Sequence, residues 1–273
     1  MRRALLTLAL IAAIVAIAAP AQAQSPQRAL VWAVGDGGDG SRAAKTLAAR
    51  IRSDRPDRFL YLGDVYPNGT AAEFRRNYTT VYGPLNRITE PTIGNHEWAN
   101  RGSGYLPYWR RAKGRPQRLF YSFRLAGWEI INLNSQLPRS AAQLRWLRSR
   151  LSAAPGTCRL AYFHLPRFSA GALHGDQAAV APLWNALRGH ARLVVNAHEH
   201  TSQRFRLRDG LTEYVAGSGG AAHYRLRRDP RLAWARTGTN GALRIVLEPG
   251  RARLEFRSAG GRLLDASRVT CRV

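Results

Sequence analysis

Five short polar clusters punctuate this chain, each following a largely apolar run. They are Gly35-Asp36-Gly37-Gly38, Gly63-Asp64-Val65-Tyr66, Gly94-Asn95-His96-Glu97, Phe163-His164-Leu165-Pro166 and Ala197-His198-Glu199-His200. Their carboxylate, amide and imidazole groups are donors that suit iron, manganese or zinc rather than a thiolate site. Two such ions a few ångströms apart make a nucleophile from water at neutral pH and offset negative charge on a reacting group. A bridging carboxylate is needed to hold such a pair, and side chains from several strand ends must fill each shell. One cluster alone says little. Five in series point to a dinuclear metal centre on strand ends, where α/β folds put their chemistry.

The elements that must position these clusters are legible around them. Ala29 to Val34 and Arg58 to Leu62 are continuous apolar runs of buried-strand type, each ending at a Gly-Asp pair. A third short strand around Thr89 to Ile93 leads to Gly94-Asn95-His96. Between them, Ser41 to Arg52 has helical spacing with Ser41 as N-cap. Thr70 to Tyr82 reads as a helix opened by a Thr70–Glu73 capping box. Tyr121 to Leu125 and Trp128 to Leu133 flank Ala126-Gly127 as a hairpin. Ser140 to Leu151 is helical, Arg159 to Phe163 and Ala191 to Asn196 are strands before their histidines, and Ala242 to Leu247 pairs with Ala252 to Phe256 through Glu248-Pro249-Gly250. Trp98 to Arg118 reads as a long loop walling the pocket. Strand–helix alternation followed by β-rich segments predicts an α/β fold of two packed mixed β-sheets flanked by helices.

Composition adds a compartment. Arg2 and Arg3, an apolar stretch from Ala4 to Ala19, and Ala21-Gln22-Ala23 form a secretory signal pattern, with cleavage expected after Ala23. Residues 24–273 then form one exported domain, periplasmic or extracellular, with no stable membrane association once the signal is removed. The two cysteines, Cys158 and Cys271, permit a single intramolecular bridge, which suits an oxidising compartment. The net charge is +25, and only Lys45 and Lys113 among the 42 basic residues are lysines. Arginines scattered over the whole chain are what a GC-rich coding sequence produces. They form no single nucleic-acid-binding arm, although they can steer anionic substrates.

The clusters, together with Asn68-Gly69-Thr70, Ala161 to Ser169, Leu173-His174-Gly175 and Gly217-Ser218-Gly219-Gly220, resemble the calcineurin-like metallophosphoesterases. The match is to the secreted bacterial members of the purple acid phosphatase branch. This resemblance runs from about Ala29 to the C-terminus. It implies a metallophosphoesterase-like β-sandwich with two metal ions: Asp36 and His200 on the first, Asp64 bridging, and Asn95, His164 and His198 on the second. It further implies iron in the first site, with iron, zinc or manganese in the second. His96 and His174 take the substrate side, contacting phosphate or protonating the leaving group. Metal-activated hydroxide then attacks phosphorus in line. The implied partner is a phosphorylated small molecule, hydrolysed as a monoester, with nucleic acid possible only as a substrate. The alternatives are a phosphodiesterase with the same metals, or a basic envelope-binding protein of weak turnover.

Within this set some positions have competitors. Asp39 offers a second carboxylate in the first cluster, but Asp36 ends the strand directly. His174 also reads as a solvent-facing loop histidine. Glu97 and Glu199 read as groups that orient their neighbours. Two positions depart from the family pattern. The tyrosine expected on the first metal lies three residues after the bridging aspartate, whereas Tyr66 lies two after Asp64. In an extended segment that shift turns the side chain to the other face; in a loop the backbone can absorb it. Ala197 stands where the pattern has glycine, which is strained by about 1 kcal/mol if the position needs positive φ.

Overall fold

The computed structural model describes residues 27–206 and 210–271. The expected signal segment, residues 1–23, lies outside them. The chain begins with strands β1 (Ala29–Val34), β2 (Arg58–Tyr61), β3 (Thr89–Pro91), β4 (Tyr121–Leu125), β5 (Trp128–Asn132) and β6 (Cys158–Tyr162). It continues with β7 (Leu193–Asn196), β8 (Ser202–Phe205), β9 (Thr212–Ala216), β10 (Leu232–Arg236), β11 (Gly241–Glu248), β12 (Arg251–Ser258) and β13 (Leu263–Thr270). They form two mixed sheets, ordered β13-β12-β11-β1-β2-β3 and β10-β8-β9-β7-β6-β5-β4. The first three strands run parallel, and β11 adds antiparallel to β1, so the end of the chain completes the sheet its first strand began. In the second sheet β5, β6, β7 and β9 are parallel.

Side-chain alternation explains the packing. Val31, Ala33, Leu60 and Leu62 point inward and meet Ile130, Leu160, Leu193 and Val195 of the facing sheet. Trp32, Val34, Phe59 and Tyr61 point outward into a second cluster under α1 (Arg42–Ser53) and the helices of the 71–113 region. Because both faces are covered, these strands read as continuous apolar runs. Ser41 caps α1, its Oγ accepting from Ala44 N at 3.1 Å. The Thr70–Glu73 capping box opens α2 (Ala71–Glu73), which passes through a π turn at Phe74–Tyr78 into α3 (Thr79–Tyr82). The segment expected as a long loop instead carries α4 (Leu106–Lys113), closed by Gly114 at φ 66°. The element is short, and Leu106, Trp109 and Ala112 face the second cluster from it. Over the second sheet lie α5 (Ala141–Ala153) and α6 (Ala181–Leu187). Among the described residues no helix is long and apolar enough to cross a membrane.

Cys158 and Cys271 are joined as a disulfide, with Cα atoms 5.6 Å apart across 113 residues. The bridge fastens the start of β6 to the chain beyond β13. In the chain-entropy account a loop of this length stabilises by about 4–5 kcal/mol.

One buried carboxylate links this scaffold to the loop after β6. Tyr214 on β9 faces the intersheet core, so Glu213 faces the other way and is fully buried. Its two oxygens accept the backbone N–H groups of Arg167 at 2.7 Å and Phe168 at 3.0 Å. Burial raises its pKa from an ordinary 4.5 to about 8, outweighing those two donors. A raised acid pKa means stability present below pH 4.5 and lost as pH rises to about 8. Glu213→Gln has no such dependence. The stability of the variant relative to the parent therefore rises by on the order of 4–5 kcal/mol across that window. Urea denaturation at several pH values measures it, and a pH-independent difference would show that the N–H donors prevail.

Candidate metal centre

The carboxyl ends of β1, β2, β6 and β7 meet at one edge of the sandwich, and the polar clusters occupy the turns that follow them. Three of these turns are sharp: Asp36, Asp64 and His198 sit at φ 58°, 70° and 70°. Left-handed backbone costs a non-glycine residue about 1–2 kcal/mol. Side chains hold the turns in place. Fully buried Glu97 accepts from the backbone N–H groups of Asp64, Gly94 and Val65, each at 3.1 Å. It therefore ties the second and third clusters together and does not point at the donors. Gly94 is required by close approach, since a Cβ there would lie 2.0 Å from Asp64 Oδ1.

The expected ligands converge. Donor atoms of Asp64, His164 and His198 lie within 4.8 Å of one another, all buried. His164 Nδ1 lies 2.8 Å from the Leu62 carbonyl, which fixes the proton on that nitrogen and turns the Nε2 lone pair inward. That Nε2 is 2.9 Å from Asn95 Oδ1 and 3.4 Å from Asp64 Oδ2, so three acceptors face one point. On the other side of Asp64, His200 Nδ1 lies 2.7 Å from the Ala222 carbonyl and its Nε2 lies 2.9 Å from the Tyr66 hydroxyl. The Tyr66 hydroxyl is also 3.3 Å from Asp36 Oδ1 and from Asp64 Oδ2. Asp36 Oδ2 is buried without a hydrogen-bond partner. An orphaned carboxylate oxygen and facing lone pairs are what cations would satisfy, so the donor set fits a metal pair.

Titration follows the same geometry. Burial pushes Asp36 well above the usual carboxylate range, and the charge of Asp64 adds to this against opposition from His164. Burial would lift Asp64 too, but His164 and His96 hold it below its ordinary value. Burial disfavours charge on His164, yet Asp64 and Asp36 carry its pKa up to about 9, so without a cation Nε2 carries a proton in the place where a metal would take its lone pair. For His198 and His200, burial and neighbouring imidazoles press the pKa down to about 2 and about 4. Both are neutral lone-pair donors at any physiological pH.

The remaining expected residues surround this group. His96 Nδ1 contacts the Pro67 carbonyl at 2.6 Å, which turns Nε2 to 3.8 Å from Asp64 Oδ2. His174 is exposed, yet its ring lies over His198 with centroids 4.2 Å apart. Asp39 stands outside the cluster, where its Oδ1 accepts from Ser41 N at 3.0 Å ahead of α1. Glu199 accepts the N–H groups of His174 and Gly175. The strain expected at Ala197 falls on its neighbour: His198, not Ala197, has positive φ. Sequence reasoning missed Tyr224, whose ring stacks on His200 at 4.0 Å with 16° between planes. Its loop carries no repeating pattern that would have marked it.

Gly94→Ala tests the cradle directly. The added methyl displaces the Asp64 carboxylate, and the purified variant is expected to hold less than half the parent's metal by elemental analysis, with unchanged far-UV circular dichroism. Equal metal content would show that Asp64 does not depend on this approach.

Comparison with known proteins agrees with this architecture. The model of the calcineurin-like phosphoesterase family matches residues 29–202. No curated protein matches the chain in sequence. Among solved structures, GAP50, the anchor in the inner membrane complex of Plasmodium, superposes with a TM-score of 0.74 at 15% identity, covering 91% of this chain and 90% of that one. A dimetal phosphatase from Danio rerio gives a TM-score of 0.63 at 15% identity, covering 89% and 98%. PhoD gives 0.63 at 13% identity, covering 93% and 72%. Identities this low speak to the fold alone. The family model, which spans more than half of the sequence, places the chain in the calcineurin-like phosphoesterase family.

Proposed function

We propose that this chain is an exported, metal-dependent phosphomonoesterase of the purple acid phosphatase branch, acting as one domain over residues 24–273. In this reading Asp36, Tyr66 and His200 hold a first ion, taken to be iron. Asn95, His164 and His198 would hold a second, taken to be iron, zinc or manganese, and the Asp64 carboxylate would be available to both. When bound, the ions supply Lewis-acid charge that polarises the phosphoryl group and lowers the pKa of water. His96, donating its Nδ1–H to the Pro67 carbonyl, turns Nε2 toward the centre, where as an imidazolium it would pass a proton to the departing alcohol. His174, over the His198 ring, contacts the phosphate from the solvent side.

The observation that carries this reading is the position of Tyr66. Despite its shortened spacing from Asp64, its hydroxyl lies among Asp36, Asp64 and His200. A phenol among the first ion's donors is what the resemblance to purple acid phosphatases implies. Export is supported by the signal pattern at residues 1–23 and by the Cys158–Cys271 disulfide. GAP50, an anchor by its description, shares the fold, so the fold by itself also allows a non-catalytic role. The orphaned Asp36 oxygen and the facing lone pairs at His164 favour hydrolysis over that role.

Hydrolysis of p-nitrophenyl phosphate and of its bis-ester by protein prepared with iron, manganese and zinc tests the proposal. The monoester is expected to be preferred, and His164→Ala to lose roughly a thousandfold in kcat/KM. Preference for the diester would overturn the monoesterase reading, and equal activity in His164→Ala would overturn the site. The tyrosine has a separate signature. Iron-loaded parent protein is expected to show a visible phenolate-to-ferric absorption that Tyr66→Phe abolishes; a band unchanged in the variant would remove Tyr66 from the donor set.

A further inference from the structure

Helix α4 and the turn after it carry charge that the fold leaves unanswered. Between Glu97 and Glu129 the chain has seven basic residues and no aspartate or glutamate. Some of these find partners. Lys113 turns inward with its side chain 8% exposed, and its Nζ donates to the Thr89 carbonyl at 2.6 Å and to Glu90 Oε1 at 3.3 Å. Arg101 lies over the Trp98 ring at 4.2 Å. Arg110, Arg111 and Arg115 are different. All three are exposed, and no carboxylate among the described residues forms an ion pair with them.

These three side chains line one groove of about 840 Å³, together with Leu106, Pro107 and Pro116. That is the size of a small-molecule site. Its frame is fixed: Trp109 is fully buried, Tyr108 stacks on Phe74 at 4.6 Å, and Gly114 ends the helix at φ 66°. Three guanidinium groups around one groove repel one another. The crowding reaches their neighbour, since burial lowers the Lys113 pKa and the charge of Arg115 lowers it further against opposition from Glu90. The carbonyl end of a helix offsets roughly half a charge, which leaves most of the excess in place.

We propose that this groove binds a compact anion carrying several phosphate groups. Each guanidinium presents a planar fork that matches phosphate oxygens, and a phosphate group brings up to about two charges where a carboxylate brings one. The apolar walls from Leu106, Pro107 and Pro116 keep out part of the water that would weaken such pairs. The site is independent of the chemistry proposed for the metal centre.

Calorimetric titration with inorganic tripolyphosphate tests this, on metal-loaded parent protein and on His164→Ala. Binding at the groove is expected to survive His164→Ala. It is expected to weaken about tenfold or more in the triple variant Arg110→Gln, Arg111→Gln, Arg115→Gln. A control triple, Arg42→Gln, Arg52→Gln and Arg145→Gln, removes the same charge from exposed positions on α1 and α5 and is expected to change affinity by less than about twofold. The two triples are compared in the parent as well, so the outcome does not hang on the folding of His164→Ala. Equal weakening in both would show that only the overall field acts, and overturns the site; absence of binding in a folded His164→Ala does the same. Tricarballylate, with three carboxylates and no phosphorus, is expected to bind at least about fivefold more weakly, and equal binding overturns the phosphate assignment. Groove-dependent attachment to phosphatidylglycerol vesicles without binding of tripolyphosphate would replace the compact anion by a lipid surface, and sinks the proposal too.

Discussion

The centre depends on one constraint: donors must leave strand ends and turn inward within one or two residues. Asp36, Asp64 and His198 do so through left-handed backbone, which L-residues adopt at a cost. That cost is tolerable only where the surroundings over-determine the conformation. Side-chain acceptors, all but Asp176 buried, do this here. Glu97 gathers three amides from two clusters. In the loop after β6, Glu213 takes the amides of Arg167 and Phe168, Asp176 that of Ser169, Gln203 that of Ala170, and Glu199 those of His174 and Gly175. Backbone groups that would otherwise seek water are fixed by the scaffold, and the loops behave as parts of it.

The same constraint explains the two departures from the family pattern. Spacing rules for Tyr66 assume extended chain, in which a one-residue shift reverses a side chain. The chain is not extended there. Asp64 turns left-handed, and Tyr66 N then donates to the Gly38 carbonyl at 2.9 Å, which anchors the tyrosine beside the first cluster. Its phenol reaches the donors from that anchor. At Ala197 the relevant variable is space rather than φ. A Cβ on Gly35 would lie 2.4 Å from the Ala197 methyl, so the alanine occupies room that glycine at position 35 leaves open.

Much of this was legible in the sequence, for a physical reason. Strands covered on both faces are forced into uninterrupted apolar runs, so Ala29–Val34, Cys158–Tyr162 and Leu193–Asn196 announce themselves and mark the clusters that follow. Caps written in side chains, Ser41 and Thr70, were equally clear. What stayed hidden was held by contacts distant in sequence. The strand β10 has only intermediate or exposed side chains and exists by pairing with β8. Helix α4 is short, and its apolar face, Leu106, Trp109 and Ala112, is broken up by Arg110, Arg111 and Lys113. Glu213 looks like an ordinary strand acid until the loop 45 residues away is folded onto it. Tyr224 gains its meaning only when its ring meets His200 across the centre.

The arginine-rich surface and the buried donors of the centre act over different distances. Several of the charges are already spoken for: Arg159 and Arg150 pair with buried Glu129, Arg204 pairs with Asp265, and Arg244 pairs with Asp54. The excess still makes the whole molecule attractive to anions, but that field is screened within about 10 Å at ordinary salt. It raises the encounter rate of any phosphate ester without distinguishing one from another. Discrimination has to come from contacts that salt does not reach, and at this centre those begin with the buried donors. Capture and choice are therefore carried by separate parts of the surface, the first sensitive to ionic strength and the second set by packing.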